Sequence, residues 1–211
     1  MTLVFDLDHT LFDTVSFKED LFRIFEESGA SRDVVESAYE EHLKQVAGSY
    51  DFELHSEVLE KRCEAFDKRL ASEKFLVFEK SDYRKYVSQE AFQVLGALKD
   101  RRLRLILLTR GSEKMQMQKI ERSGLGVFFD KVMICQGDKS DALAELRLDT
   151  GDCFINDHWG ETKILKEDFP RPRYFLLKRP DLEKYHSLFE IDIPILLSLK
   201  ELLKVEEIKL P

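Results

Sequence analysis

Two kinds of hydrophobic spacing divide the chain. Leu3 to Leu7 is a short apolar run ending among acids, which predicts a buried strand carrying Asp6 and Asp8 at its C-terminal end. From about residue 16 to 74 the period is helical. Phe17, Leu21, Ile24 and Phe25 recur on one face, Gly29 follows as a stop, and Ser31-Arg32-Asp33 reads as a fresh helix start. The helical period resumes through Val34, Ala38, His42 and Val46, then through Val58, Cys63, Phe66 and Leu70. No strong strand pattern interrupts it, so residues 16–87 are expected to form an all-helical insert.

From about Gln89 onward strands and helices alternate. The pattern predicts helix 90–100, strand 103–109, helix 113–123 stopping at Gly124, strand 132–135 and helix 140–147. Strand 153–156, helix 160–167, strand 174–177 and a closing helix over 196–203 follow. Such alternation argues for an α/β core of residues 1–15 and 88–211, with a parallel sheet covered on both faces. Sites in such sheets lie outside the carboxyl ends of the strands.

Composition narrows the classes of partner. Sixteen Phe supply ample apolar area for a core. The formal net charge of −8 ranks nucleic acid and anionic lipid low as partners, because both are negatively charged. Cys63, Cys135 and Cys153 are odd in number and show no metal-binding spacing, so they are expected to be reduced, packing cysteines of a cytoplasmic protein. The N-terminus lacks the basic segment of a signal peptide. No apolar run approaches the roughly 20 residues a membrane span needs.

The candidate chemistry gathers at the ends of predicted strands. The first ends in Asp6-Leu7-Asp8-His9-Thr10; residues two apart on a strand share a face, so both carboxylates are expected to project together. Like charges that close need a cation or a shared proton. Mg²⁺ suits them, since it prefers carboxylate, water and phosphate oxygens. The second strand ends in Thr109-Arg110-Gly111, where a hydroxyl and loop N–H groups opening a helix suit a phosphate, or where Thr109 is an ordinary helix cap. Lys139 precedes a helix after the third strand; it either neutralises a phosphate and its attacker or is an exposed loop lysine. After the fourth strand, Asp157 and Glu161 stand four apart at a helix start, turned toward a metal or decorating the helix dipole.

The order of these signals on successive strand ends resembles the haloacid dehalogenase-like superfamily. Asp6, Asp8 and Thr10 match its Asp-x-Asp-x-Thr motif, Thr109 its second motif, Lys139 its third, and Asp157 with Glu161 its paired acids. The resemblance implies a Rossmann-like core with residues 16–87 as a helical cap. It also implies an Mg²⁺-dependent phosphatase. Asp6 would attack phosphorus, and Asp8 would protonate the leaving group and then activate water. Asp6, the Asp8 backbone carbonyl and Asp157 would hold the metal. Thr109, the Arg110 N–H and Lys139 would hold the phosphoryl oxygens, with Thr10 and Glu161 in the outer shell. The family's dehalogenases lack a carboxylate at the position of Asp8, which argues against a halide substrate. Two departures stand out: Asn156 occupies a position where Gly is frequent, and Glu161 one where Asp is more usual.

The insert's place between the first two motifs implies a cap that closes on a small phosphorylated metabolite. Residues 14–90 hold 12 basic and 18 acidic residues, which argues mildly against a highly anionic leaving group. His9 and His158 flank the motifs, Trp159 either packs under the cap or stacks on a substrate ring, and His42, His55 and His186 show no ligand spacing. A phosphomutase or phosphotransferase using the same Asp6 and Asp8 is the alternative reading. A non-catalytic binding protein is a third, opposed by the intact set of Asp6, Asp8, Lys139 and Asp157.

Overall fold

The computed structural model describes residues 1–45, 50–178 and 193–205, so the expectations for Val46 and His186 lie outside the described residues. These residues fall into two compact units: Met1–Asp13 with Val87–Arg110 and Leu125–Pro211, and Thr14–Tyr86 with Gly111–Gly124.

The first unit is built on six parallel strands: β1 Thr2–Phe5, β2 Arg104–Arg110, β3 Lys131–Cys135, β4 Cys153–Asn156, β5 Arg173–Leu177 and β6 Ile195–Leu196. Their order is β3-β2-β1-β4-β5-β6. β1 therefore lies between β2 and β4, with Phe5 opposite Leu107 on one side and Ile155 on the other. The strand order reverses between β1 and β4, and loops leaving adjacent strands in opposite directions there open a crevice at their carboxyl ends. Both faces are buried, which explains the near-continuous apolar runs of the central strands. Val4, Ile106, Leu108, Phe154 and Leu176 pack with Leu143 of α7 (Ser140–Leu146) and Leu165 of α8 (Trp159–Asp168). Trp159, half-buried, also packs against this cluster. The alternate residues Leu3, Phe5, Leu105 and Leu107 are buried on the other face. Also in this unit, helix Gln89–Asp100 begins at the Ser88 cap, whose side chain accepts from the Ala91 N–H.

The closing segment corrects one expectation. Leu196 belongs to β6 rather than to a helix, and a 3-10 helix follows over Leu199–Lys204. A two-residue strand has no periodicity of its own. It exists because Ile195 and Leu196 pair with Leu176 and Leu177.

The second unit is helical: α1 Thr14–Glu26, α2 Arg32–Gln45, α3 Phe52–Arg62 and α4 Lys68–Glu79, with α6 Glu113–Ser123 grouped with them rather than with the sheet. α6 joins this unit through specific contacts. The Tyr83 N–H donates to Arg122 O, Gln118 donates to Glu79, and the Lys119 ammonium lies over the Phe17 ring. The pattern through Val58, Cys63, Phe66 and Leu70 is broken into two helices. α3 ends at Arg62, and Asp67 caps α4 by accepting from the Leu70 N–H. The break folds against Gly29, whose φ of +102° is open only to glycine; an added Cβ would lie 2.1 Å from the Ala65 carbonyl oxygen. The core is aromatic, with Phe25, Phe52 and Phe75 stacked in succession at 5.1 and 3.8 Å.

Candidate active site

Every candidate residue belongs to the first unit, at the carboxyl ends of its strands. β1 ends at Phe5, earlier than the expected Leu7, so Asp6 and Asp8 do not share a strand face. The Asp6 N–H still continues the ladder to Ile155 O at 2.9 Å. The chain then turns tightly: Leu11 and Phe12 donate to Leu7 O, and His9 donates to Phe12 O at 2.8 Å. His9 takes a left-handed φ of 62°, a conformation that costs a residue with a Cβ about 1 kcal/mol. The turn, not strand alternation, brings Asp8 near Asp6.

Asp6 is buried, and Lys139 Nζ donates to its Oδ1 at 2.6 Å. Lys139 is only 3% exposed, which overturns the reading of an ordinary surface lysine. The same ammonium donates to Glu161 Oε2 at 2.8 Å. On the other side, Thr10 Oγ1 lies between Asp6 Oδ2 (3.5 Å) and Asp157 Oδ1 (3.4 Å), long contacts that one hydroxyl proton must share. Two chains of contact therefore meet at Asp6: Glu161–Lys139–Asp6 and Asp6–Thr10–Asp157.

The electrostatics follow from this arrangement. Burial pushes the Asp6 carboxyl up to about 7; the Lys139 charge pulls it down, while Asp157 and Asp8 push it up again. Burial alone would drive the Lys139 ammonium toward neutrality, but the Asp6 and Glu161 carboxylates outweigh it and hold the lysine charged. Burial acts to raise Glu161, and the Lys139 charge overcomes it, keeping the carboxyl below its usual range. Several acids thus crowd one buried lysine.

That surplus of negative charge tests whether a divalent cation fits. Asp6 Oδ2 and Asp157 Oδ1 converge on Thr10 and not on Lys139. Among the described residues no three His, Cys, Asp or Glu side chains are grouped to hold a metal. Two carboxylates beside a hydroxyl make an all-oxygen donor set that suits Mg²⁺ and would not suit a softer ion.

The remaining expectations sort as follows. Thr109 is buried near the end of β2, two residues beyond the partner of Phe5, and is not a helix cap; Ser112 precedes α6. Arg110 is exposed at the end of β2, and its charge helps hold the Glu161 carboxyl low. Glu161 Oε2 accepts from Lys139 and from Asn156 Nδ2, the latter at 2.9 Å. His158 caps α8 through its ring, accepting from the Glu161 N–H at 3.1 Å. Asn156, read from sequence only as a departure, is fully buried at the end of β4. The available signal was a polar residue ending an apolar strand immediately before the acids.

This fold and these motifs place the chain in a known class. The haloacid dehalogenase-like hydrolase family model matches residues 1–172, and the chain belongs to that family. No curated protein matches it in sequence. Among solved structures, a Burkholderia xenovorans LB400 chain described by family only, as a haloacid dehalogenase-like hydrolase, superposes with a TM-score of 0.77 at 19% identity, covering 97% of this chain and 95% of that one. A HAD phosphatase from Thermococcus onnurineus matches at 0.62 and 16% identity, covering 97% and 96%. The L-2-haloacid dehalogenase of Xanthobacter autotrophicus matches at 0.62 and 15%, covering 97% and 98%. A Bacillus subtilis HAD-hydrolase, YfnB, of the same fold was solved bound to magnesium. At these identities the neighbours establish the shared fold and not a shared substrate. The chain is thus a hydrolase of this family. Its cysteines are all free thiols, and no helix among the described residues is long and apolar enough to cross a membrane.

Proposed function

We propose that this hydrolase is an Mg²⁺-dependent phosphatase acting on a small phosphorylated metabolite through an aspartyl-phosphate on Asp6. The observation that carries the reading is the buried Asp6 carboxylate held 2.6 Å from Lys139, beside the second carboxylate of Asp157. Lys139 orients Asp6 so that one carboxylate oxygen faces the incoming phosphorus. The new P–O bond to Asp6 forms as the bond to the leaving oxygen breaks, and Asp8 gives that oxygen its proton. Asp8 then takes a proton from water as the water attacks phosphorus and frees Asp6. Thr109, the Arg110 N–H and Lys139 bind the phosphoryl oxygens throughout. Mg²⁺, held by Asp6, the Asp8 carbonyl and Asp157, would supply charge neutralisation at the phosphoryl group.

Asp8 favours phosphoryl over halide chemistry, because a dehalogenase needs no proton donor for a halide leaving group. A phosphomutase would use the same residues and differ only in passing the phosphoryl group to a hydroxyl instead of water. Hydrolysis of an aryl phosphate should require Mg²⁺ and stop with EDTA. Full activity in metal-free buffer would sink the assignment, and release of phosphate only to an added sugar acceptor would favour the mutase.

A further inference from the structure

We propose that Asn156 is a positioning residue that turns the Glu161 carboxylate onto Lys139 and so fixes the ammonium between two acids. The inference rests on the phosphatase reading for its consequence but not for its geometry. Asn156 is the last residue of β4 and has no exposed surface. Its Oδ1 accepts from the Asp157 N–H at 2.9 Å and the His158 N–H at 3.4 Å. Its Nδ2 donates to Glu161 Oε2 at 2.9 Å. The amide has one possible orientation. Flipped, it would set an NH₂ against two N–H donors and an oxygen against a carboxylate.

The consequence reaches the nucleophile through two further bonds. Glu161 Oε2 receives both Asn156 Nδ2 and Lys139 Nζ, and Lys139 Nζ also donates to Asp6 Oδ1. The Asn156 amide and the Lys139 ammonium together direct the Glu161 carboxylate. With the amide in place, Lys139 has an anchor that stays when a phosphoryl group arrives and Asp6 changes from anion to acyl phosphate. The lysine can then bind phosphoryl oxygen without following Asp6. Asn156 would also hold Glu161 Oε2 away from a bound metal, whose side-chain donors would be Asp6 and Asp157.

The test compares Asn156→Ala, Glu161→Ala and the double variant of the full chain. Affinity for inorganic phosphate is measured by calorimetry in Mg²⁺, and affinity for Mg²⁺ alone in parallel. Losing a hydrogen bond to a charged group should weaken phosphate about tenfold to a hundredfold in each single variant. The double should match Glu161→Ala, since both act through one carboxylate. Effects that multiply, or an Asn156→Ala loss confined to Mg²⁺, would overturn the proposal in favour of a role in holding the Asp157 loop. A buried alanine can unfold the chain, so a second pair is informative. Asn156→Asp keeps the size and the acceptor for both N–H groups but sets like charges together. Combined with Glu161→Ala, which removes the facing charge, it should bind phosphate no more weakly than Glu161→Ala alone; a further loss counts against the proposal. If the wild type binds neither Mg²⁺ nor phosphate, it is the phosphatase reading that fails. The positioning role is then decided by the alanine cycle in denaturant with EDTA, where additive losses overturn it.

Discussion

The two units bury polar groups by different means. The α/β unit buries ionised groups, with Lys139 set between Asp6 and Glu161 and Asp157 close by. The helical unit buries neutral imidazoles, alongside the Lys119 ammonium that lies over the Phe17 ring. His55 is fully enclosed: its Nε2 donates to Val35 O and its Nδ1 receives Tyr50 OH, both at 3.2 Å. His42 Nε2 accepts from the Asp51 N–H at 3.0 Å. Val35 O can only accept, so His55 carries its proton on Nε2. Burial pushes the His55 imidazole down to about 4, with the His42 and Lys18 charges adding to the depression. Burial pushes Asp6 up to about 7. A buried charge without full compensation is costly and is kept where chemistry uses it, whereas a neutral hydrogen-bonded imidazole is ordinary packing. Buried ionisable residues alone do not mark a site; crowded like charges do.

The largest break in this contrast is Asp6→Asn. An amide cannot attack phosphorus, so turnover should fall by about 10⁴–10⁶-fold while circular dichroism shows a folded chain. Near wild-type turnover would move the nucleophile elsewhere. Asp8→Asn comes next. It keeps the shape and the backbone carbonyl and removes only the proton carrier, which is worth roughly 10²–10⁴ in rate. Its loss should be greater for alkyl phosphates than for aryl phosphates, whose leaving groups depart unprotonated. Equal losses with weakened Mg²⁺ dependence would strip Asp8 of the acid–base role.

In the helical unit the largest effect should come from backbone and not from charge. Gly29→Ala forces a Cβ onto the Ala65 carbonyl at a φ that alanine avoids. It should lower stability by about 3 kcal/mol, read from the denaturant midpoint. A shift of a few tenths would show that the Ala65 segment yields freely.

The smallest effect, and the one that sets the units against each other, is the pH dependence of stability in EDTA. Asp6 has a raised carboxyl, so its contribution is full below about 4 and is lost as pH rises toward about 7. His55 has a depressed imidazole, so its contribution is present above about 6.5 and is lost as pH falls toward about 4. The slopes oppose each other over the same window, each limited to about 1.4 kcal/mol per pH unit. Asp6→Asn should leave stability rising with pH between 4 and 6.5, and His55→Gln should leave it falling. Identical slopes in both variants would refute the contrast.

Much of this molecule is readable from residue order because the forces concerned are local or periodic. The helices at 113–123 and 140–146, the strand at 153–156 and the stop at Gly29 follow from apolar spacing and from a backbone angle only glycine tolerates. The four chemical signals at strand ends were likewise legible, since a parallel sheet collects its loops at one edge. Periodicity tells a residue which face to bury but not against what. Lys139 reaches Asp6 across 133 positions because the parallel order β3-β2-β1 puts the loop after β3 at the same edge as the end of β1. β6 exists only as a partner to β5, and α6 sides with the helical unit through Tyr83, Glu79 and Phe17. Glu161 looks in sequence like half of a metal-binding pair. A buried amide and a buried ammonium, brought to it only by the folded sheet, claim its carboxylate first.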